Sequence, residues 1–431
     1  MAENAAMAGS SWRSGSRGAG VRRGRGPAGR SLCLAIVAVV LGTFAGSPAG
    51  AAAPRAPTHR AAAGACALPK GSTEGVENWQ RHLRPAGTLR AIMLFVDFPD
   101  AAAAGDLADY SAELLPGGPR WFSRASYGRV HLAVTTVDAW VDMPHDTSHY
   151  AGYSTSFDAQ RDYIVDAMHA AVVQQGVDFT GFKLIYVVPT TAATSLATSP
   201  AFVAGSGGGA STDGFEIDYG ATFGQDMWFW GFKVLDHETG HTFGLPDLYA
   251  FQGSNDHRFV GGWDLMGLIS GPAPDYLALE KWRLGWLDPA QVACVNERGT
   301  SLRTLTPLER AGGKKLLVLR TGTATAVVVE DRQALGNDAR TCSTGALIYE
   351  VDSSVATGHG PVRVENSHPG FAGTSTCGPL DHATFGVGPG AVSEFHDDAD
   401  GITVHVLGIT STGNVQLRVR RTTPFPPPAE R

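Results

Sequence analysis

The chain offers no run of the ~20 consecutive apolar residues that a helix needs to cross a bilayer. Its longest such stretch, "SLCLAIVAVVLGTFA" from Ser31 to Ala45, is about fifteen residues long and free of charge. The chain also lacks a basic excess. With 34 Lys and Arg against 41 Asp and Glu its net charge is −7, and removing residues 1–53, which hold six Arg and one Glu, leaves 28 against 40, or −12. A surface of that sign does not suit nucleic acid or an anionic membrane. No repeat of fixed period recurs, which excludes a solenoid or propeller. Cysteine is scarce, at five in 431 residues.

What is present begins with an export signal. Six arginines in the first thirty residues, the apolar stretch and then "SPAGAAAP" form the order basic, apolar, small that marks a secretory signal peptide. Residues 1–53 are therefore expected to be cleaved, leaving no membrane anchor on an extracellular, monomeric protein. Cys33 would leave with them. The remaining four, Cys66, Cys294, Cys342 and Cys377, suit two disulfides with three connectivities. Cys342 with Cys377 is preferred because both lie in one C-terminal segment, which leaves Cys66 with Cys294.

Residues 54–85 read as a linker or short propeptide. From Leu89 the apolar run "LRAIMLFVDFPD" predicts a buried strand, and Val130 to Thr136 alternates as a second. The spacing after Ser156 predicts a helix stopped by Gly176, and "FKLIYVVPT" a further buried strand. Helical character returns around Trp228 to Trp230. This α/β pattern bounds a first domain at 86–290. From 291 to 431 short β-branched runs separated by Gly, Asp and Asn predict an antiparallel β-sandwich ending in a Pro-rich tail.

One stretch carries chemistry. In "HETGHTFGLPD" (237–247) His237 and His241 lie one turn apart on a helix, so both imidazoles can reach one ion with Glu238 beside it. Gly244 allows the positive φ that ends a helix and returns the chain towards that ion. Asp247 is then a candidate third ligand, with a capping role as its alternative. The rival is Glu280 in "YLALEKW", otherwise expected on a solvated helix face beside Lys281 or Arg283. Three protein ligands with a fourth position open make a catalytic Zn²⁺ site, with Glu238 as general base. A Cys66 thiolate capping the metal is the alternative to its disulfide, but it would strand an odd cysteine. Tyr276 is a candidate for oxyanion stabilisation or a further ligand, against an ordinary core tyrosine. Ca²⁺ binding by "HDDADG" (396–401) lacks support, because the alternating ligand spacing of a calcium loop is missing.

"HETGHTFGLPDLY" together with "GGWDLMG" (261–267) resembles the immune inhibitor A-like family of secreted bacterial zinc metalloproteases, relatives of the metzincins. "LFVDFPD", "SYGRV", "KWRLGWL" and "ALIYEVD" are similar to it as well. The resemblance implies a metzincin-like catalytic domain, His237, His241 and Asp247 as zinc ligands, Glu238 as base and Met266 in a methionine turn beneath the metal. The short propeptide and the missing accessory domains depart from larger members. The expected activity is endopeptidase cleavage of extracellular proteins or peptides. An exopeptidase or glycan-dependent protease on the same core, and a binding protein on a non-catalytic scaffold, are the alternatives.

Overall fold

A computed structural model describes residues 64–425 except 65, 70, 72 and 206. The expected signal peptide, the start of the linker and the end of the Pro-rich tail lie outside the described residues. The apolar run after Pro85 forms β1 (Gly87–Asp97), whose two faces are both covered: Leu89, Ala91, Met93 and Phe95 enter one hydrophobic cluster, Ile92, Leu94 and Val96 another. Doubly buried strands belong inside a sheet, and β1 pairs in parallel with both β2 (Val130–Asp142) and β3 (Leu184–Pro189). The chain continues through β4 (Ala201–Val203), a small hairpin of β5 (Ala210–Thr212) and β6 (Phe215–Ile217), and β7 (Tyr219–Thr222). β7 runs parallel to β3, and β4 lies antiparallel on β7, giving the order β2-β1-β3-β7-β4 with β4 at one edge.

Helices cover both faces. On one lie α1 (Leu107–Leu114), α2 (Gly117–Ala125), the single turn α4 (Met227–Trp230) and α5 (Phe232–Thr242); on the other lies α3 (Phe157–Gln175). α3 starts where Ser156 Oγ accepts the Ala159 N–H and stops at Gly176, with φ 63°, as its caps foretell. None of the helices among the described residues is long and apolar enough to cross a membrane.

After α6 (Ala278–Arg283) come β8 (Val292–Cys294), β9 (Gly299–Leu305), β10 (Leu316–Arg320), β11 (Thr325–Arg332), β12 (Gly345–Asp352), β13 (Val362–Val364), β14 (Glu394–Asp397), β15 (Ile402–Ile409) and β16 (Val415–Arg421). They form two sheets, β13-β12-β11-β10-β8 and β14-β15-β16-β9, with Leu317, Val327 and Ile348 of the first packed against Val404, Leu417 and Val419 of the second. One strand departs from the expected antiparallel order. β8 runs parallel to β10, because the chain crosses to β9 in the other sheet before returning.

The opposite face of the first sheet, with Leu316, Val328, Leu347 and Tyr349, belongs to the same cluster as α2 and α5. The 86–290 and 291–431 segments thus share a core. Buried Arg332 spans the junction, pairing with Glu330 at 2.9 Å and Asp338 at 3.0 Å and donating to the carbonyls of Trp263 (2.8 Å) and Ala273 (3.0 Å). A buried guanidinium held through both terminal nitrogens keeps one geometry, since losing a carboxylate partner would strand a charge.

The described residues of the 64–85 segment lack regular structure yet are held firmly. Cys66 and Leu68 are buried, the Leu83 N–H donates to Thr242 O at the end of α5 (2.8 Å), and the Cys66 and Cys294 sulfurs lie at disulfide distance, 2.12 Å. Cys342 and Cys377, at 2.04 Å, form the second pair, in loops outside the sandwich core. Cys66 therefore offers no thiolate to a metal. The acidic 396–401 stretch makes the turn from β14 to β15, where Asp397 Oδ1 accepts the Asp400 N–H at 3.0 Å.

Candidate metal centre

Three glycines shape the motif helix. Gly231, at φ 61°, breaks α4 from α5. Gly240 sits where a Cβ would fall 2.4 Å from Tyr276 Oη and 3.0 Å from Met266 Sδ, so only glycine lets those side chains close against the helix. Gly244, at φ 90°, ends it, and the Leu245 N–H reaches back to Gly240 O at 3.2 Å. Past that turn, Leu245 and Asp247 come back alongside His241.

Both imidazoles are oriented by backbone carbonyls. His237 Nδ1 faces Leu265 O at 3.0 Å and His241 Nδ1 faces Leu245 O at 2.8 Å. Donation from Nδ1 fixes the tautomer and leaves each Nε2 with a lone pair, the outer-shell arrangement of metal-binding histidines. Asp247 Oδ1 lies 3.3 Å from His237 Nε2 and 3.2 Å from His241 Nε2, buried and without a hydrogen-bond partner. Ligands about 2.0–2.1 Å from a tetrahedral ion stand about 3.3–3.4 Å apart. Asp247 Oδ1 thus stands at ligand-set spacing from both imidazoles, the three atoms lie within 4.8 Å of one another, and the orphaned oxygen fits a cation ligand.

The β-rich segment holds the third of these residues in place. The Asp247 N–H donates to Thr357 Oγ1 at 2.9 Å, and Asp247 O accepts the Gly358 N–H at 3.1 Å. Beside the triad, Glu238 is buried, and desolvation pushes its pKa up to about 7 although both histidines pull it down. A cleft of ≈ 600 Å³ opens along His241 and Asp247, with Val203 of β4, Thr357, and Arg81 and His82 of the N-terminal strap among its walls. Arg283 anchors that strap. Its guanidinium contacts Glu77 at 2.6 Å and donates to Gly244 O.

Met266 is fully buried in the turn beneath α5; its N–H donates to Asp264 Oδ1 (2.7 Å), and its carbonyl accepts the Leu248 N–H (2.9 Å). The same turn supplies Leu265 O to His237. Two further candidates stand apart from the histidine cluster, Tyr276 as the ordinary core tyrosine that was its alternative. Tyr276 is fully buried and its hydroxyl donates to Asp236 O at 3.0 Å, so it braces α5 instead of meeting an oxyanion or metal.

Glu280 is not on a solvated face. It is fully buried beside Asp264, away from the histidine cluster, because α6 is enclosed between the two segments. Asp264 accepts the N–H groups of Met266 and Leu277 (2.6 Å), whereas both Glu280 oxygens lack an N–H or O–H donor. The proton of the pair therefore sits on Glu280, whose pKa burial and Asp264 raise well above the ordinary 4.5.

Tyr249 was not singled out in the sequence. Its ring stacks 6.4 Å from that of His237, and burial and the nearby Asp247 and Glu238 carboxylates raise its pKa above the usual phenol range. Its place two residues after Asp247 in "PDLY" is the signal that could have found it. No family model matches the chain, and no characterised protein matches it in sequence.

Proposed function

We propose that the chain is a secreted zinc-dependent endopeptidase of the immune inhibitor A-like, metzincin-related kind. The observation that carries this reading is the orphaned Asp247 Oδ1 standing 3.3 Å from His237 Nε2 and 3.2 Å from His241 Nε2. Two neutral imidazoles and one carboxylate suit zinc, and three protein ligands leave a position open. When bound, zinc supplies Lewis acidity, polarising a substrate carbonyl and lowering the pKa of a water towards about 7. Glu238, desolvated beside the triad, takes the proton of the attacking water and passes it to the leaving amine. Tyr249, stacked beside His237, offers a hydroxyl to the developing oxyanion. The free edge of β4, with Val203 lining the cleft, suits a substrate held as an added antiparallel strand. Both cysteine pairs fit an oxidising compartment such as the extracellular space.

The test is cleavage of an internally quenched peptide blocked at both termini, alongside metal analysis. Chelation is expected to abolish cleavage and zinc to restore it, while His237→Ala/His241→Ala removes one equivalent of zinc and all turnover. Cleavage of free-ended peptides alone would assign an exopeptidase. Zinc-replete protein with no hydrolysis of any peptide would favour the scaffold reading.

A further inference from the structure

A second group of metal-ligating side chains lies on the other face of the central sheet, remote in sequence from the motif. His145 precedes a short 3₁₀ turn at Thr147–Tyr150 and His149 lies within it, while Asp166 projects from the middle of α3; one potential ligand atom from each lies within 4.8 Å of the others. The two imidazoles face each other with ring centroids 4.1 Å apart. The surroundings hold this arrangement. Asp100 fixes the turn by accepting both the Thr147 N–H and its hydroxyl at 2.8 Å. Tyr150, 2% exposed and packed on Tyr163 of α3, donates its hydroxyl to Asp166 Oδ2 at 2.9 Å. That bond orients the carboxylate and leaves Oδ1 available, as outer-shell partners do at metal sites.

We propose that His145, His149 and Asp166 form a second binding site for a divalent transition-metal ion, which clamps the 145–150 turn to α3. Two imidazoles and a carboxylate select zinc, nickel or copper over calcium or magnesium, which prefer all-oxygen shells. Ligand atoms spread over up to 4.8 Å must draw in towards about 3.3–3.4 Å when the ion binds. Both histidines are exposed, so they can move, and water can complete the coordination. The site is therefore expected to be weaker than the triad at α5, where Asp247 Oδ1 already stands 3.2–3.3 Å from both imidazole Nε2 atoms.

The experiment uses the full secreted chain without a histidine tag, stripped with chelator and titrated with Zn²⁺ against a chromophoric competitor. The parent should take up about two equivalents, and His145→Ala/His149→Ala and His237→Ala/His241→Ala about one each. Tyr150→Phe should weaken only the lower-affinity site, by about 10-fold or more. Unchanged uptake by His145→Ala/His149→Ala, with its circular dichroism intact, would overturn the proposal. So would an absence of competitive uptake by a folded His237→Ala/His241→Ala variant. Retention of both equivalents by that last variant would instead count against the α5 centre, so the two assignments fail separately.

Discussion

On the proposed mechanism, replacing Glu238 by Ala is expected to lower kcat by at least ~10²-fold while leaving zinc at the α5 centre, because the proposed general base is lost and no proposed ligand is. The triad of His237, His241 and Asp247 is complete without Glu238. Glu238→Gln separates catalysis from folding. It preserves shape at a position where burial already disfavours the charged carboxylate, so thermal stability should hold or rise as activity falls. Turnover within a few-fold of the parent in either variant would remove Glu238 from the mechanism. Metal loss in Glu238→Gln would mean that its carboxylate helps to hold the ion.

How far the sequence discloses this arrangement depends on how local each determinant is. α3 could be read because its start and stop are single residues, Ser156 and Gly176, whose roles depend on neighbours one turn away. The same holds for the motif, where spacing places His237 and His241 on one face and Gly244 turns the chain. Burial of Glu280 was not legible, since α6 has only six residues and its enclosure depends on sheets formed some fifty to seventy residues later. A polar residue beside Lys281 and Arg283 looks solvated until those strands are placed. The strap at 64–85 has no periodicity to read, because single contacts such as Arg283 with Glu77 hold it instead of a repeated apolar face. Thr357, which fixes the Asp247 backbone, lies 110 residues away and carries no local signal.

Asp247→Ala and Glu280→Ala should fail in opposite ways. Losing Asp247 removes one of three converging ligand atoms, so zinc affinity should fall by more than the ~10–100-fold typical of an outer-shell loss, and activity with it. Folding should largely persist, because the backbone contacts of Asp247 to Thr357 and Gly358 remain. Glu280→Ala touches no ligand but empties a fully enclosed position and strips Asp264 of its proton-sharing partner, which should cost about 2–4 kcal/mol of stability. The surviving folded protein should still bind zinc. Glu280→Gln sharpens the contrast through pH. A carboxyl whose folded pKa lies above its ordinary 4.5 holds its proton more tightly folded than unfolded. Its contribution is greatest below that value and declines as pH rises towards the folded pKa. Glutamine stays neutral throughout, so the thermal midpoint of Glu280→Gln should gain on the parent progressively from about pH 4.5 upward. Zinc lost in a folded Glu280→Ala protein but kept in Asp247→Ala would reverse the ligand assignment and leave Asp247 to shape the loop after α5.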